Sequence, residues 1–528
     1  MSAADASPIR LYDTTLRDGT QREGLSLSVE DKVKIARVLD HLGVHYLEGG
    51  WPGSNPKDAE FFRRMREAPP ARAKLAAFGS TRRAGARCEA DANLRALLEA
   101  DTPVVTLVGK TSTLHVDRVL ETTRDENLRM IEESVAWLKS HGREVVYDAE
   151  HFFDGWRLDR GYALATLHAA EQAGADTIVL CDTNGGELPE VVADRVLELR
   201  GHLTVPLGIH PHDDSGLALA NALAAVRAGC VQVQGTVNGY GERCGNLDLV
   251  PLIANLQLKL GHRLLADESL RRLSEVSHYV AEVANQQPDP HAAYVGRSAF
   301  AHKGGIHVSA IAKVPESYQH VEPERVGNSC RVVVSEVAGR RNVRLRAHEL
   351  GIATGDDESA VLHRIKELEH RGFQFEAAEG SFEMLLRRKD PGYRAPFVVD
   401  DFTVIVEKRG GDRIRAQATV KLRVGDEVVH TAAEGDGPVN ALDRAVRKAL
   451  LPHYPALAEV HLVDYKVRIV DEQLGTAARP RVIIESGRGT DRWSTVGCSE
   501  NIIEASWLAL CDALELALLR LPPSPATA

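Results

Sequence analysis

Two short clusters of side chains give this sequence its clearest chemical signal. Arg17-Asp18 follows an apolar run that predicts a strand, and His210-Pro211-His212 ends a later one. On a strand, imidazoles two residues apart point the same way, so both can reach one ion. The Asp18 carboxylate supplies a hard ligand, and Arg17 offers a planar fork of donors to a substrate oxygen beside the ion. Together they predict a divalent-metal site that polarises a carbonyl substrate.

The segments around these clusters predict the scaffold that holds them. From residue 8 to about 261, short apolar runs alternate with longer amphipathic stretches, which is typical of parallel strands joined by helices. Eight strands are predicted, at residues 9–13, 45–49, 74–78, 104–108, 144–149, 177–181, 205–210 and 231–236. Eight such units over about 250 residues predict an α/β fold, the (β/α)8 TIM barrel, with its active site at the carboxyl ends of the strands.

Position on this scaffold strengthens the metal interpretation. By itself, a His-x-His pair is more often a pair of surface or core residues than a pair of ligands. Here both clusters lie where strands end, as do Glu150 and Thr183, so we expect these side chains at one end of the barrel. An open doubly wound sheet is the alternative, but no G-x-G-x-x-G motif follows the first strand.

Capping signals delimit two of the predicted helices. Ser28 followed by Glu30 and Asp31 predicts an N-cap and an acidic first turn, opening a helix that ends near Gly43. A second helix is predicted from residue 214 to a glycine stop at residue 229, because its apolar residues recur on one face.

Beyond the barrel the pattern changes twice. We predict a barrel at residues 1–265, helical linker subdomains at 266–395 and a C-terminal α+β domain at 396–528. The last part looks internally repeated, with strands at 402–408 and 416–424 before a helix at 439–450, and strands at 467–471 and 481–486 before a helix at 501–519. A repeat without clustered titratable residues favours a ligand-binding regulatory module, and a plain dimerisation domain is about as compatible.

Composition narrows the class of protein. The 528 residues carry a net charge of −11 without a basic stripe, so nucleic acid is not an expected partner. Seven scattered cysteines without a C-x-x-C pair suit reduced thiols in the cytoplasm. The N-terminus resembles no secretory signal, and no apolar run approaches the roughly 20 residues of a membrane span. We therefore expect a cytoplasmic protein with no membrane association.

Three longer motifs resemble those of one enzyme family. They are residues 13–21 (DTTLRDGTQ), 210–218 (HPHDDSGLA) and 238–246 (NGYGERCGN). In this order they resemble the signatures of the 2-isopropylmalate, homocitrate and citramalate synthase family, whose members condense acetyl-CoA with a 2-oxo acid. The resemblance covers nearly the whole chain, since that family also carries a helical linker and a repeated C-terminal regulatory domain.

Within the family, three stretches resemble the citramalate synthases in particular. They are residues 47–58 (LEGGWPGSNPKD), 109–111 (GKT) and 335–340 (SEVAGR). The resemblance implies pyruvate as the 2-oxo acid, (R)-citramalate and CoA as products, and isoleucine as the feedback ligand. The alternative is a 2-isopropylmalate synthase that uses 2-oxoisovalerate, with Phe78 and Leu107 as pocket residues that would decide between them. A metal-dependent lyase on the same barrel is a further alternative, but such lyases resemble only the barrel and lack the C-terminal repeat. A barrel without catalytic activity is disfavoured because all the expected metal ligands are present.

The resemblance also assigns roles to individual residues. It implies Asp18, His210, His212 and Asn246 as ligands of Mg²⁺ or Mn²⁺, with Zn²⁺ also compatible. It implies Arg17 and Thr183 as residues that hold the keto acid, and Glu150 as the carboxylate that helps to remove the acetyl methyl proton; a purely structural Glu150 is the alternative. His307 and Tyr318 match linker residues that reach the active site, in some members from the partner subunit, which implies a homodimer. Two positions depart from the usual family pattern. Family members often carry Glu where this chain has Thr20, and Ser-x-Glu-Asp where it has the run Asp148-Ala149-Glu150-His151.

Overall fold

The computed structural model describes residues 9–333, 340–352, 358–390, 392–408, 414–470, 478–489 and 491–521. The chain forms two compact units, Met1–Phe300 with Val321–Cys330 and Ala301–His320 with Arg331–Ala528. Of the stretches that carry the family resemblance, residues 335–339 lie outside the described residues, as do residues 1–8 at the N-terminus.

Within residues 9–333, eight parallel strands close into a barrel in sequential order, which confirms the predicted TIM barrel. The strands are β1 Arg10–Asp13, β2 Tyr46–Gly50, β3 Lys74–Ser80, β4 Val104–Lys110, β5 Glu144–Glu150, β6 Thr177–Asp182, β7 Leu207–Pro211 and β8 Gln232–Gly235. Side chains alternate between the barrel interior and the layer of surrounding helices. An inner apolar cluster that includes Val104, Val146 and Val179 closes the barrel below its carboxyl end.

Helices cover the outside of the barrel. They are α1 Val29–Leu42, α2 Pro56–Glu67, α3 Ala92–Glu99, α4 Thr113–Arg118, α5 Arg124–Ser140, α6 Phe152–Leu158, α7 Arg160–Gln172, α8 Pro189–Leu199, α9 Ala218–Ala228, α10 Leu249–Ala254, α11 Asp267–Leu270 and α12 Leu273–Val283. Among the described residues, none of the helices is both long and apolar enough to cross a bilayer.

One predicted helix start is confirmed and the other is wrong. Ser28 and Asp31 form a reciprocal capping box at α1, and Gly43 ends it with φ of 100°. Helix α9 begins at Ala218 rather than at residue 214, because the Asp213 carboxylate accepts a hydrogen bond from Ala218 N at 2.9 Å. The residues before α9 therefore form a loop, which leaves them free to approach the strand ends.

The second compact unit contains the predicted repeat. Its short N-terminal elements are β9 Ala301–His302, α13 Gly305–Ile311, β10 Arg331–Val332, α14 Arg340–Glu349, α15 Glu358–His370 and α16 Glu379–Arg387. Two similar β3α modules follow: β11 Val398–Lys408, β12 Ile414–Val424, β13 Glu427–Gly435 with α17 Pro438–Leu450, and β14 His461–Ile469, β15 Pro480–Arg488, β16 Asp491–Cys498 with α18 Ile502–Arg520. Each antiparallel sheet buries one face under its helix. The third strand of each module, β13 and β16, was not among the predicted strands.

A buried ion pair ties α1 to α2. The Lys32 ammonium contacts the Asp58 carboxylate, and these side chains are only 3% and 7% exposed. Asp58 also accepts a hydrogen bond from Trp51 N at 2.9 Å. Lys32→Met leaves this carboxylate buried without its cation, so we expect a loss of about 3–5 kcal/mol in the free energy of unfolding of the barrel. Urea denaturation measures it.

The matched control is Lys74→Met, which removes the same charge from a pair with Glu144 whose lysine is 53% exposed. Exposed pairs contribute about 0–1 kcal/mol, so this variant should unfold close to the parent. Equal losses in the free energy of unfolding would show that burial of the Lys32–Asp58 pair does not determine its contribution to stability.

Candidate active site

A cleft of about 380 Å³ opens at the carboxyl ends of the barrel strands. Its walls are made by residues from loops and strand ends that are far apart in sequence. Those that carry polar chemistry are Arg17, Asp18, Lys110, Asp148, Glu150, Thr183, His210, His212, Glu242 and Arg243. The residues that come from strands reach the cleft because every second side chain of a strand faces the barrel interior. Most of the residues predicted from the sequence therefore lie around one cavity.

Three side chains in this cleft form a potential metal site. Ligand atoms of Asp18, His210 and His212 lie within 4.8 Å of one another, and all three residues are buried. Burial disfavours the charged Asp18, but Arg17 and His210 outweigh it and hold the pKa of that carboxyl well below its usual range. Burial, with the neighbouring His210, lowers the pKa of His212 to about 3. One carboxylate and a neutral imidazole are suitable donors for a divalent cation.

Asn246 completes this group. Its Nδ2 lies 3.0 Å from Asp18 Oδ2 and 3.0 Å from His210 Nε2. Its Oδ1 is buried, and no hydrogen-bond partner for it occurs among the described residues. A buried amide oxygen without a partner is costly, and a cation would supply the missing interaction. The donor set thus fits a metal ion.

Gln234 connects two strands beside the site. Its Oε1 lies 2.7 Å from His210 Nδ1, and its Nε2 donates to Asp148 Oδ1 at 3.0 Å. When the ring is neutral, an Nδ1–H that donates to Gln234 presents an unprotonated Nε2 of His210 on the side of Asp18, as a metal ligand requires. Burial raises the pKa of Asp148 to about 7 despite the opposing charge of His210. Gln234 was not identified from the sequence, because an interior glutamine on an unremarkable strand gives no local signal.

Gln234→Leu is expected to weaken Mn²⁺ binding by about 10- to 100-fold, because His210 loses the acceptor that fixes its ring. Titration calorimetry of the full chain measures the affinity. The control is Gln232→Leu, two residues earlier on the same strand; both Gln232 amide atoms are buried, and neither has a hydrogen-bond partner among the described residues. Parallel losses in both variants would assign the effect to packing instead of to His210.

Arg17 is held rigidly at the rim of the metal group. Its Nε donates to Glu48 Oε1 at 2.6 Å, its Nη1 lies 2.9 Å from Asp18 Oδ1, and its guanidinium carbon lies 3.8 Å from the centre of the Phe78 ring. Glu48 is fully buried and also accepts a hydrogen bond from Tyr12. The remaining guanidinium donors are left for a bound anion. Glu48 was also missed, although a carboxylate inside an apolar strand run was a signal.

The far wall of the cleft pairs a carboxylate with a cation. Glu150 ends β5 and forms an ion pair with Lys110, the residue beside it in the register with β4. Thr183, after β6, accepts a hydrogen bond from His151 N at 2.9 Å, so its hydroxyl proton is free to point at a ligand.

The remaining predicted residues have mixed outcomes. Phe78 lines the cleft, but the expectation for Leu107 is wrong: it is fully buried and packs in the outer core, because Thr106 and Val108 occupy the inward positions of β4. His307 and Tyr318 belong to the second compact unit, where their rings stack with centroids 4.3 Å apart. Their role at the active site stays a prediction.

The two departures from the family pattern have simple local consequences. Thr20 donates its hydroxyl to the carbonyl oxygen of Arg17 at 2.6 Å and so fixes the loop after β1. Asp148 is bound by Gln234 and lies inside the cleft. Thr20 and Asp148 therefore both lie beside residues that are predicted to bind the metal or the keto acid.

Comparisons with known proteins cover almost the whole chain. The HMGL-like family matches residues 8–280, the homocitrate synthase post-HMGL domain-like family residues 294–372, and the LeuA allosteric (dimerisation) domain residues 376–518. A protein of Geobacter sulfurreducens named (R)-citramalate synthase is 52% identical over 97% of this chain and 98% of its own length. Proteins of the same name from Synechocystis and Aquifex aeolicus are 50% and 48% identical, each over 98% of this chain and 97% and 98% of their own lengths.

Proposed function

The chain belongs to the HMGL-like family, among the relatives named (R)-citramalate synthase, and we propose that it makes (R)-citramalate and CoA from acetyl-CoA, pyruvate and water. It is thus an acyltransferase that converts the acyl group to an alkyl group on transfer. The observation that supports this most strongly is identity of 46–52% over at least 96% of the chain with five relatives of that name. Such similarity over all regions favours pyruvate over the 2-oxoisovalerate of 2-isopropylmalate synthases.

The proposed metal ligands are Asp18, His210, His212 and Asn246. Two imidazoles with carboxylate and amide oxygens suit Mg²⁺ or Mn²⁺, and Zn²⁺ is the next candidate. When bound, the cation would polarise the carbonyl group of the 2-oxo acid as a Lewis acid. The orphaned Oδ1 of Asn246 is the structural feature that supports this donor set.

Arg17 and Thr183 would hold pyruvate. The Arg17 guanidinium is fixed by Glu48 and Phe78, so its free donors are preorganised for the planar carboxylate and carbonyl oxygens of a 2-oxo acid. Phe78 also packs edge-on against Trp51, with ring centroids 5.4 Å apart. Because Phe78 is held from both sides, it has little freedom to yield to a branched side chain, which suits the methyl group of pyruvate.

Glu150 is the proposed base. It takes a proton from the methyl group of acetyl-CoA, and the resulting carbanion forms a carbon–carbon bond with C2 of pyruvate. The C2 oxygen takes up a proton from solvent and becomes the hydroxyl group of the product. Water then cleaves the thioester, so that CoA leaves as the thiol and the new carboxylate completes citramalate. Hydrolysis of the thioester makes the overall reaction effectively irreversible.

The deciding assay is release of CoA thiol from acetyl-CoA with Mg²⁺ or Mn²⁺, comparing pyruvate, 2-oxoisovalerate and 2-oxoglutarate. We expect pyruvate to give the highest kcat/KM. Faster turnover of 2-oxoisovalerate would support the 2-isopropylmalate alternative, and no release with any of the three would refute the synthase proposal.

The assembly and its regulation are part of the proposal. The match to a LeuA allosteric (dimerisation) domain supports a homodimer, in which His307 and Tyr318 would complete an active site. The two β3α modules would bind isoleucine as a feedback ligand, and inhibition by leucine instead would contradict this. The domain limits 1–265, 266–395 and 396–528 stay a prediction. So does the cytoplasmic location, which is supported by reduced thiols such as those of Cys181 and Cys230.

A further inference from the structure

Lys110 is a cation in the cleft to which nothing so far assigns a role. It ends β4 directly beside Glu150 at the end of β5, and its ammonium contacts Glu150 Oε2. Both side chains are 23% exposed, so the pair lies in the wall of the cleft and is shielded from bulk water. An ion pair that is partly exposed contributes little to the free energy of unfolding. In an active-site cleft, however, it can determine how the carboxylate reacts.

The surroundings of Glu150 explain why it needs a cation. Asp148, two residues earlier on the same strand, is an acid that lines the same cleft. From the neighbouring elements, His115 of α4 and the buried thiol of Cys181 on β6 interact electrostatically with Glu150. Burial raises the pKa of Cys181 well above its usual value, so this thiol is neutral and offsets no negative charge.

The other cations of the described cleft are engaged elsewhere. Arg17 is bound by Glu48 and Asp18, and Arg243 donates to both carboxylate oxygens of Asp214 at 2.7 and 2.9 Å. Lys110 is thus the cation placed to offset the charge of Glu150. Because it contacts Oε2, it leaves Oε1 of Glu150 available to a substrate proton.

We propose that Lys110 is a positioning residue for the reaction, which by its contact with Oε2 of Glu150 fixes that carboxylate and leaves Oε1 facing the acetyl group. This inference rests on the proposed function, since it requires Glu150 to act as the base. A base must lie within hydrogen-bond reach of the proton that it removes, so loss of the contact should slow proton transfer more than it weakens substrate binding.

The test compares kcat with the KM for acetyl-CoA in the full-length enzyme, with pyruvate saturating. In Lys110→Met, kcat should fall by about 10²-fold, the usual cost of a misplaced reacting group, while KM changes little. Lys110→Arg keeps a cation that can contact Glu150, so it should recover most of the lost kcat. The matched control is Lys139→Met, which removes a lysine from a 2.7 Å pair with Asp176 outside the cleft and should leave both kcat and KM at the parental values.

A second readout separates positioning from structure. With trideuterated acetyl-CoA, the isotope effect on kcat/KM should rise in Lys110→Met, because proton removal becomes slower relative to other steps. A loss of rate with an unchanged isotope effect, or an equal loss of kcat in Lys110→Arg, would overturn the inference. If the parent enzyme releases no CoA with pyruvate, the proposed function fails first, which the parent assay reveals on its own.

Discussion

An Asp18→Asn variant is expected to lose measurable Mn²⁺ binding and to fall by roughly 10³-fold in kcat/KM for pyruvate. Asp18 supplies the charged ligand of the proposed metal group, and its neighbours His210 and His212 are within 4.8 Å. A neutral amide cannot replace that charge, and Lewis-acid assistance is worth several kcal/mol of barrier, which corresponds to about three powers of ten. Calorimetric titration with Mn²⁺ measures binding, and thiol release measures turnover.

The control for this variant is Asp176→Asn, the same chemical change at the opposite end of the barrel. Asp176 pairs with Lys139 and accepts a hydrogen bond from Val145 N, away from the cleft. We expect it to bind Mn²⁺ and turn over pyruvate like the parent. Retention of both properties by Asp18→Asn would remove Asp18 from the ligand set, while equal losses in the two variants would point to general unfolding.

The barrel could be predicted from the sequence because its strands are buried on both faces. Such strands appear as continuous apolar runs with helices between them, so their number and order follow from one pass along the chain. In the first C-terminal module, the third strand was missed for the opposite reason. β13 alternates between exposed and half-buried residues, and much of its sequence is polar, so its apolar signal is weak.

The site was harder to predict than the scaffold. Asp18 and the two histidines carry a recognisable spacing, but the residues that orient them come from other strands. Gln234 meets Asp148 across 86 positions of sequence, and Glu48 meets Arg17 across 31. Only the pairing of strands into the barrel brings such residues together, so no local sequence pattern reveals them. The inward or outward direction of Leu107 depended in the same way on the exact parity of β4.

Glu150→Gln is expected to lower kcat by about 10²- to 10⁴-fold, the usual contribution of a positioned general base. Gln keeps the size of the side chain and a hydrogen-bond acceptor for Lys110, but it cannot accept the methyl proton. Mn²⁺ affinity and the KM for pyruvate should change little, because the proposed metal group and Arg17 do not include Glu150. Rapid-quench measurement of CoA release, together with Mn²⁺ titration, separates these quantities.

The alternative is that Glu150 is a structural carboxylate of the barrel, and the two roles predict different patterns of loss. A structural role would lower the melting temperature and weaken metal and substrate binding together with kcat. Glu144→Gln provides the comparison, since Glu144 begins the same strand, pairs with Lys74 and accepts a hydrogen bond from Tyr46, all at the end of β5 remote from the cleft. A proton-transfer role requires a loss of kcat in Glu150→Gln without a loss of binding, and near-parental kcat in Glu144→Gln. Near-parental turnover in Glu150→Gln would exclude it as the base and direct attention to Asp148, the acid that faces the same interior two residues earlier.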